Sequence, residues 1–445
     1  MADMSRLIAR AVEYGMPAFE MARLAYDFSY DPGNSRRVPV NSFAHRRILS
    51  DHRHRLVTTP NHDTLYSSAV IDLSLGPVRL QVPAFGPRYH SLAFMDSYTN
   101  NFAYVGTRAT GGEGGSYVIA GPGRHIEAPA GTRLLRAPGN HISILARILV
   151  DSAADYAVVH RLQDRLALSG PAPARSDLVR PLTGDGENFV AVVNRVLHDD
   201  PPPDADAPLL KELAVAGLGG GVIALTSEQR QWWRKDFARV RSELIAASKE
   251  IGSSIFGWQY SQSSVGNFGT DYRTRAVIAI QGMAANIPAE SVYALALTDA
   301  DGRALDQHHR YRLRLLPGAP PADGFWSLSI YEVMADGGMY FADNALHRYA
   351  VGSLSPDLHR NEDGSLDVLI QKEPPQEFAA NWLPAPDRNE DGSLDVLIQK
   401  EPPQEFAANW LPAPEGKFAL MMRAYLPRPE MLGGRFRYPG IERLD

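Results

Sequence analysis

The sequence predicts an α+β chain that is mainly β. It should hold two jelly-roll-like antiparallel β-sandwich domains, a helical segment between them and an N-terminal helix. Three observations carry this prediction. Short apolar or alternating runs closed by Gly and Pro recur roughly every ten residues over 61–149, and again after 273. That spacing leaves no room for the helical crossovers a parallel sheet requires. Between the two blocks, apolar residues return instead at three- and four-residue intervals, the period of an amphipathic helix.

Taken in order, Leu7, Ile8, Ala11, Val12 and Gly15 place a docked helix over 1–26, and 27–60 reads as a polar loop. AVIDLSL, VRLQVP, YHSLAFMD, NFAYVGTR, GSYVIAGP and GTRLLRAP are the strands of a first domain over 1–150. SAADYAVVHRLQDRLALS, ENFVAVVNRVLHDD, APLLKELAVAG and SEQRQWWRKDFARVRSELIAASKEIG form a helical segment over 151–265. RAVIAIQG, SVYALALTDADGRAL, YRLRLLPG, GFWSLSIYEV, HRYAVGS, SLDVLIQK and KFALMMRAYLP supply strands of a second domain over 266–445. Asp301-Gly302 and Asp363-Gly364 are its hairpin-turn dipeptides.

Residues 360–386 recur without a change as residues 388–414. Repeat architectures need at least about three units, so a solenoid array is disfavoured and a recent tandem duplication or an assembly error is the reading. One copy is expected in the sheet and the other extruded, because long surface insertions cost little entropy. The unit Arg360 to Asp387 holds two basic and six acidic residues, contributing −4 of the chain's formal charge of −6.

The 445 residues are 44% apolar and 22% charged, ordinary for a globular protein and too apolar for a disordered one. With no cysteine, disulfides, thiol nucleophiles and iron–sulfur clusters are excluded. The mildly acidic balance argues against nucleic acid as a partner. No signal peptide or apolar run of membrane-spanning length is found, so a cytoplasmic location without membrane association is the expectation. GxSxG, GxGxxG, Walker and HExxH motifs are absent, and Gly111 to Gly115 precedes a strand where a phosphate loop precedes a helix.

Several phrases together resemble one two-domain family: EYGMPAFEMARL, TTPNHDTLYSSAVIDL, YHSLAFMDSYTNNFAYVGTR, GFWSLSIYEV, HRYAVGS, DGSLDVLIQ and NWLPAP. In their order they are similar to a domain of unknown function 1254 followed by a domain of unknown function 1214, over nearly the whole chain. The resemblance implies jelly-roll-like β domains and little about chemistry. The duplication departs from it, since DGSL and NWLPAP each occur once in that pattern, and this leaves the strand register over 360–415 open.

Two polar segments flank the early strands. In the first, Asn61, His62, Asp63 and Tyr66 bring an amide, an imidazole, a carboxylate and a phenol together; Asp63 can serve as general base and Tyr66 as donor to an oxyanion. In the second, Asp96 and Asn100 follow the strand YHSLAFM, so Asp63 and Asp96 can form a paired-carboxylate site if the loops meet. Turn capping by the same short polar side chains is the competing reading.

His52 and His54 would share a strand face, but Arg46, Arg47, Arg53 and Arg55 beside them disfavour a divalent metal and favour an anion. No cofactor is specified. Arg348 is the best carboxylate binder of the second domain. The leading functional expectation is a small-molecule enzyme, a hydrolase or lyase, with Asp63, Tyr66 and Asp96 catalytic and Asn61, His62, Asn100 and Arg348 binding substrate. The alternatives are a non-catalytic binder of an anionic or sugar-like ligand and a structural module forming homo-oligomers; fold alone does not choose among them.

Overall fold

A computed structural model describes residues 2–173, 178–219, 221, 224–248, 253–344, 347–355, 358, 360–371, 382–384 and 416–444. Helix and strand each account for about 27%, so the class is mixed where a mainly β chain was expected. The chain forms two discontinuous units. The first is Met1–Arg47, Leu65–Ile251 and Ser263–Ile287; the second is Ile48–Thr64, Gly252–Gln262 and Pro288–Asp445.

In the first unit, α1 (Ala2–Ala25) runs into a π-helical turn, Tyr26–Tyr30. Ile8, Ala11, Val12 and Phe19 bury one face of α1, which packs on α3 (Gly186–Asp199), α5 (Ser227–Ser248) and α6 (Tyr272–Gln281). Phe189, Val193, Trp233, Phe237 and Val277 complete this core. Gly15 permits the closest approach, because a Cβ there would lie 2.9 Å from the Phe189 ring. Asp185 starts α3 by accepting hydrogen bonds from the backbone N–H groups of Glu187 and Asn188.

Two expectations for this unit need correction. RAVIAIQG forms helix α6 and not a strand; Asp271 caps it by accepting from the Thr274 N–H, and a short apolar run carries no periodicity to separate the two states. The helix expected over 152–169 shortens to α2 (Tyr156–Asp164), and Ala167–Ser169 becomes a strand.

The unit's strands are β1 (Ala44–His45), β2 (Thr64–Asp72), β3 (Val78–Val82), β4 (His90–Met95), β5 (Asn101–Gly106), β6 (Gly115–Ala120), β7 (Thr132–Arg136), β8 (His141–Leu149) and β9 (Ala167–Ser169). They form two sheets, ordered β1-β2-β8-β4-β5 and β7-β6-β3-β9. Strand β8, absent from the sequence reading, is the middle strand of the larger sheet. The β6–β7 pair is parallel, against the antiparallel expectation.

The second unit contains β10 (Ser253–Ile255), β11 (Trp258–Tyr260), β12 (Ser291–Ala296), β13 (Tyr311–Leu315), β14 (Trp326–Val333), β15 (Met339–Tyr340), β16 (Ala350–Gly352), β17 (Leu366–Gln371), β18 (Trp382–Pro384), β19 (Phe418–Tyr425) and β20 (Glu442–Arg443). One sheet runs β10-β11-β12-β19-β14-β15, with β16 also on β14, and the other runs β18-β17-β13-β20. Period-two burial explains β13 and β17: Tyr311, Leu313 and Leu315 enter the same core as Leu366, Val368 and Ile370. The first duplicated copy supplies β17, which pairs antiparallel with β13 and parallel with β18. The second copy, 388–414, lies outside the described residues. Gly302 and Gly364 take positive φ of 82° and 79°, as the predicted turns require.

Gly15→Val should drive a branched side chain into Phe189. The expected outcome is a loss of roughly 1–3 kcal/mol, read from the urea unfolding midpoint followed by tryptophan fluorescence.

Candidate functional site

A cavity of about 80 Å³ lies within the first unit. Ala18, Met21 and Ala22 of α1, Val70 of β2, Ile142 of β8, and Val192 and Val196 of α3 give it apolar walls. The period of α1 sets Ala18, Met21, Ala22 and Ala25 on one face, and small residues there leave room beside the helix. Its polar lining includes Ser97, His141 and Asp200, with Arg195 and Asp199 paired to each other at 2.8 Å.

Asp200 terminates α3 and is almost fully buried. Its Oδ1 accepts from the backbone N–H groups of Asn140 at 2.6 Å and His141 at 3.0 Å; its Oδ2 faces the Ser97 hydroxyl at 2.6 Å and His141 Nδ1 at 2.9 Å. Gly139 makes this wrap sterically feasible, since a Cβ there would stand 2.6 Å from the Asp200 carboxylate. On the other side of the ring, His141 Nε2 lies 3.4 Å from Oδ2 of the fully buried Asp72, whose Oδ1 accepts from the Ser74 N–H. Burial opposes the charged imidazole, but the two carboxylates outweigh it and raise the His141 pKa to about 9. Burial likewise opposes the Asp72 charge, and His141 with Ser74 overcomes it, holding the carboxyl at about 2.

The residues expected from the sequence lie elsewhere, and none of the seven lines this cavity. Asn61, His62, Asp63 and Arg348 belong to the second unit, while Tyr66, Asp96 and Asn100 belong to the first. Placement of Asp63 in the N-terminal sandwich is therefore corrected. Its segment is held among strands of the second unit, where Asn61 donates to the Tyr425 hydroxyl at 2.6 Å and Asp63 accepts from Ser327 at 2.6 Å. Burial raises the Asp63 carboxyl and lowers the His62 imidazole, whose Nδ1 meets the Ser50 carbonyl.

Tyr66 sits on β2 rather than in a loop, with the Arg147 guanidinium 5.7 Å from its ring centre. Asp96 accepts from the N–H groups of Tyr98 and Asn100 and from the Asn100 side chain; burial still pushes its pKa up. Burial lowers the Arg348 pKa, and the Arg348 backbone is bracketed by Asn344. His52 and His54 are not on a strand: the first meets the Tyr349 hydroxyl and Asp343, the second Asp51. Among the described residues, no group of three or more His, Asp or Glu is arranged to hold a metal ion, and no helix is long and apolar enough to cross a membrane.

His141, Asp72 and Asp200 escaped the sequence reading. Two signals pointed to them: polar residues at the ends of buried strands, and an acidic pair closing the helix ENFVAVVNRVLHDD.

Comparison with known proteins agrees with the architecture. The family described as "Protein of unknown function (DUF1254)" matches residues 40–170. That described as "Protein of unknown function (DUF1214)" matches residues 290–389 and 385–429, two overlapping stretches that span the duplication. The chain belongs to the family that joins these two domains in this order. The crystal structure of the VPA0106 protein from Vibrio parahaemolyticus is similar over 99% of this chain and 100% of its own, with 21% identity and a TM-score of 0.72, a likeness of fold. An uncharacterized protein from Burkholderia cenocepacia matches more loosely, with 12% identity and a TM-score of 0.46 over 98% of this chain and 89% of its own. No curated protein matches the chain.

The charged bridge has a pH signature. His141 is raised in the fold, so its contribution is complete below the ordinary histidine pKa of 6.5 and is lost as pH climbs through about 9. Asp72 is lowered from 3.8 to about 2, so its contribution fails only in acid. Between pH 6.5 and 9 the wild type should lose about 2–3 kcal/mol that His141→Asn does not lose. Urea titrations of both proteins at the two pH values check this, and parallel slopes would contradict the bridge.

Proposed function

We propose that the first unit is a receptor for a small, largely apolar molecule, seated in the α1–α3 cavity with its polar end against Ser97, His141 and Asp200. The observation that carries this is the cavity itself, with apolar walls and one cluster of fixed polar groups, the usual composition of a small-molecule site. Its volume suits a ligand of a few heavy atoms. A closed apolar cavity of about 150 Å³ takes up xenon or benzene, which makes xenon a fitting probe of these apolar walls. Xenon under pressure should therefore shift the methyl resonances of Met21, Ile142 and Val192, and Val196→Phe should abolish the shifts by filling the space. Unmoved wild-type methyl signals would reject the reading.

A catalytic reading, hydrolase or lyase, draws on a different observation: burial raises the carboxyls of both Asp63 and Asp96, as at many sites of proton transfer. In that reading Asp63 is the base and Asn61, beside it in the second unit, orients the substrate. Both carboxyls already accept hydrogen bonds, from Ser327 and from the Tyr98 and Asn100 amides, which limits their freedom to take a substrate proton. The reading expects a folded Asp63→Asn variant to leave the metabolite profile of a deletion strain unrestored. Full restoration would remove Asp63 from any catalytic role.

A further inference from the structure

The polar groups around the cavity are not alike in what they already hold. The Ser97 hydroxyl meets Asp200 at 2.6 Å, His141 Nδ1 meets the same carboxylate at 2.9 Å, and Arg195 Nε donates to Asp199 at 2.8 Å. Tyr26, Tyr30 and the other N–H groups of Arg195 also border the space, on residues that are only half-buried. Ser143 differs from all of these. It stands on β8 at 6% exposure, lines the cavity, and its hydroxyl has no hydrogen-bond partner among the described residues. Its strand neighbours Ile142 and Ile144 are buried and apolar, and Met95 of β4 stands opposite it in the sheet. Burying a hydroxyl without a partner is costly, and an alanine at this position would carry no such cost. The strand thus holds one unmet O–H against an otherwise apolar space.

We infer that Ser143 reads the ligand: a short aliphatic ketone, aldehyde or alcohol whose oxygen accepts the Ser143 proton while its carbon chain lies along Met21, Val192 and Val196. The inference rests on the cavity being a binding site. Three points set the chemical class. A buried donor without a partner is rarer in proteins than an under-used acceptor, so the missing partner is an acceptor. A serine hydroxyl supplies one proton, which suits a single oxygen. The nearby charges form cation–anion pairs, Arg195 with Asp199 and His141 with Asp200, and an uncharged oxygen can be seated without breaking either pair. The volume of about 80 Å³ then limits the chain to a few carbons.

The test uses the full chain with labelled methyl groups and two probes, xenon and butan-2-one isotopically labelled at its carbonyl carbon. Butan-2-one should shift the Ile142 and Val192 methyls of the wild type saturably. Its bound carbonyl stretch should lie below that of the ketone in an alkane, the infrared mark of an accepted hydrogen bond. Ser143→Ala should weaken the ketone about three- to tenfold, the share of one neutral hydrogen bond, and return the carbonyl band to its alkane position. Xenon should shift the same methyls in both proteins, which also shows that the variant folds. Equal ketone affinity with an unchanged carbonyl band in Ser143→Ala would overturn the role of Ser143 and leave the cavity standing. Xenon uptake with no response to the ketone in the wild type would overturn the ligand class. If neither probe moves a methyl, the cavity reading itself falls, and this inference with it.

Discussion

One part-buried cation organises the first unit. Asp72 ends β2, His141 opens β8 and Asp200 closes α3, so a single imidazolium fastens the helix to two adjacent strands. A carboxylate at a helix C-terminus is opposed by the peptide dipoles, and a cation beside it offsets that opposition. Burying such a trio has a large desolvation cost, so its net gain is small; deleting one member is what costs, at about 3–5 kcal/mol for a buried charge left alone. Its value lies in position. Val70, Ile142, Val192 and Val196 stand on the elements that the bridge locks, so the cavity walls inherit that spacing.

The second unit uses a buried cation for a different purpose. Thr59 to Asp63 run as irregular chain, and buried irregular backbone needs hydrogen-bond partners that a sheet ladder does not give it. Strands β14 and β19 supply them from side chains. Arg423, 3% exposed, donates to the Thr59 carbonyl at 2.8 Å and to the Ser329 hydroxyl at 3.0 Å; Tyr331 donates to the Pro60 carbonyl at 2.7 Å. Ser327 and Ser329 of β14 serve this segment, the first by donating to Asp63 and the second by accepting from Arg423. The polar density of TTPNHD thus has a clear structural use.

How much was legible follows from where the information resides. Strands β13 and β17 were readable because period-two burial is written in each one alone. Helix α6 was not: RAVIAIQG is buried on nearly all sides, so its pattern carries no period, and its cap, Asp271, lies outside the run. Strand β8 was passed over although HISILARIL is strongly β-forming, and with it went His141, the residue on which the cavity's electrostatics turn. No sequence rule pairs His141 with Asp72 or Asp200, which lie 69 residues upstream and 59 downstream. That juxtaposition is a property of the topology.

The segment DSYTNN shows how a motif can be noticed for one chemistry and serve another. Asp96 looked like an acid for catalysis. In the fold its Oδ1 gathers the Tyr98 and Asn100 N–H groups, closing a turn in which Thr99 takes the left-handed conformation at φ 67°. A β-branched residue pays for that conformation with steric strain, so the turn must be held from outside its own backbone. The holding groups are the Asp96 carboxylate on one side and Asp200 on the other. Because the turn is fixed, Ser97 and Tyr98 both reach Asp200, one at the carboxylate and one at the carbonyl. Asp96 therefore acts on the cavity lining through geometry: it aims Ser97 at Asp200.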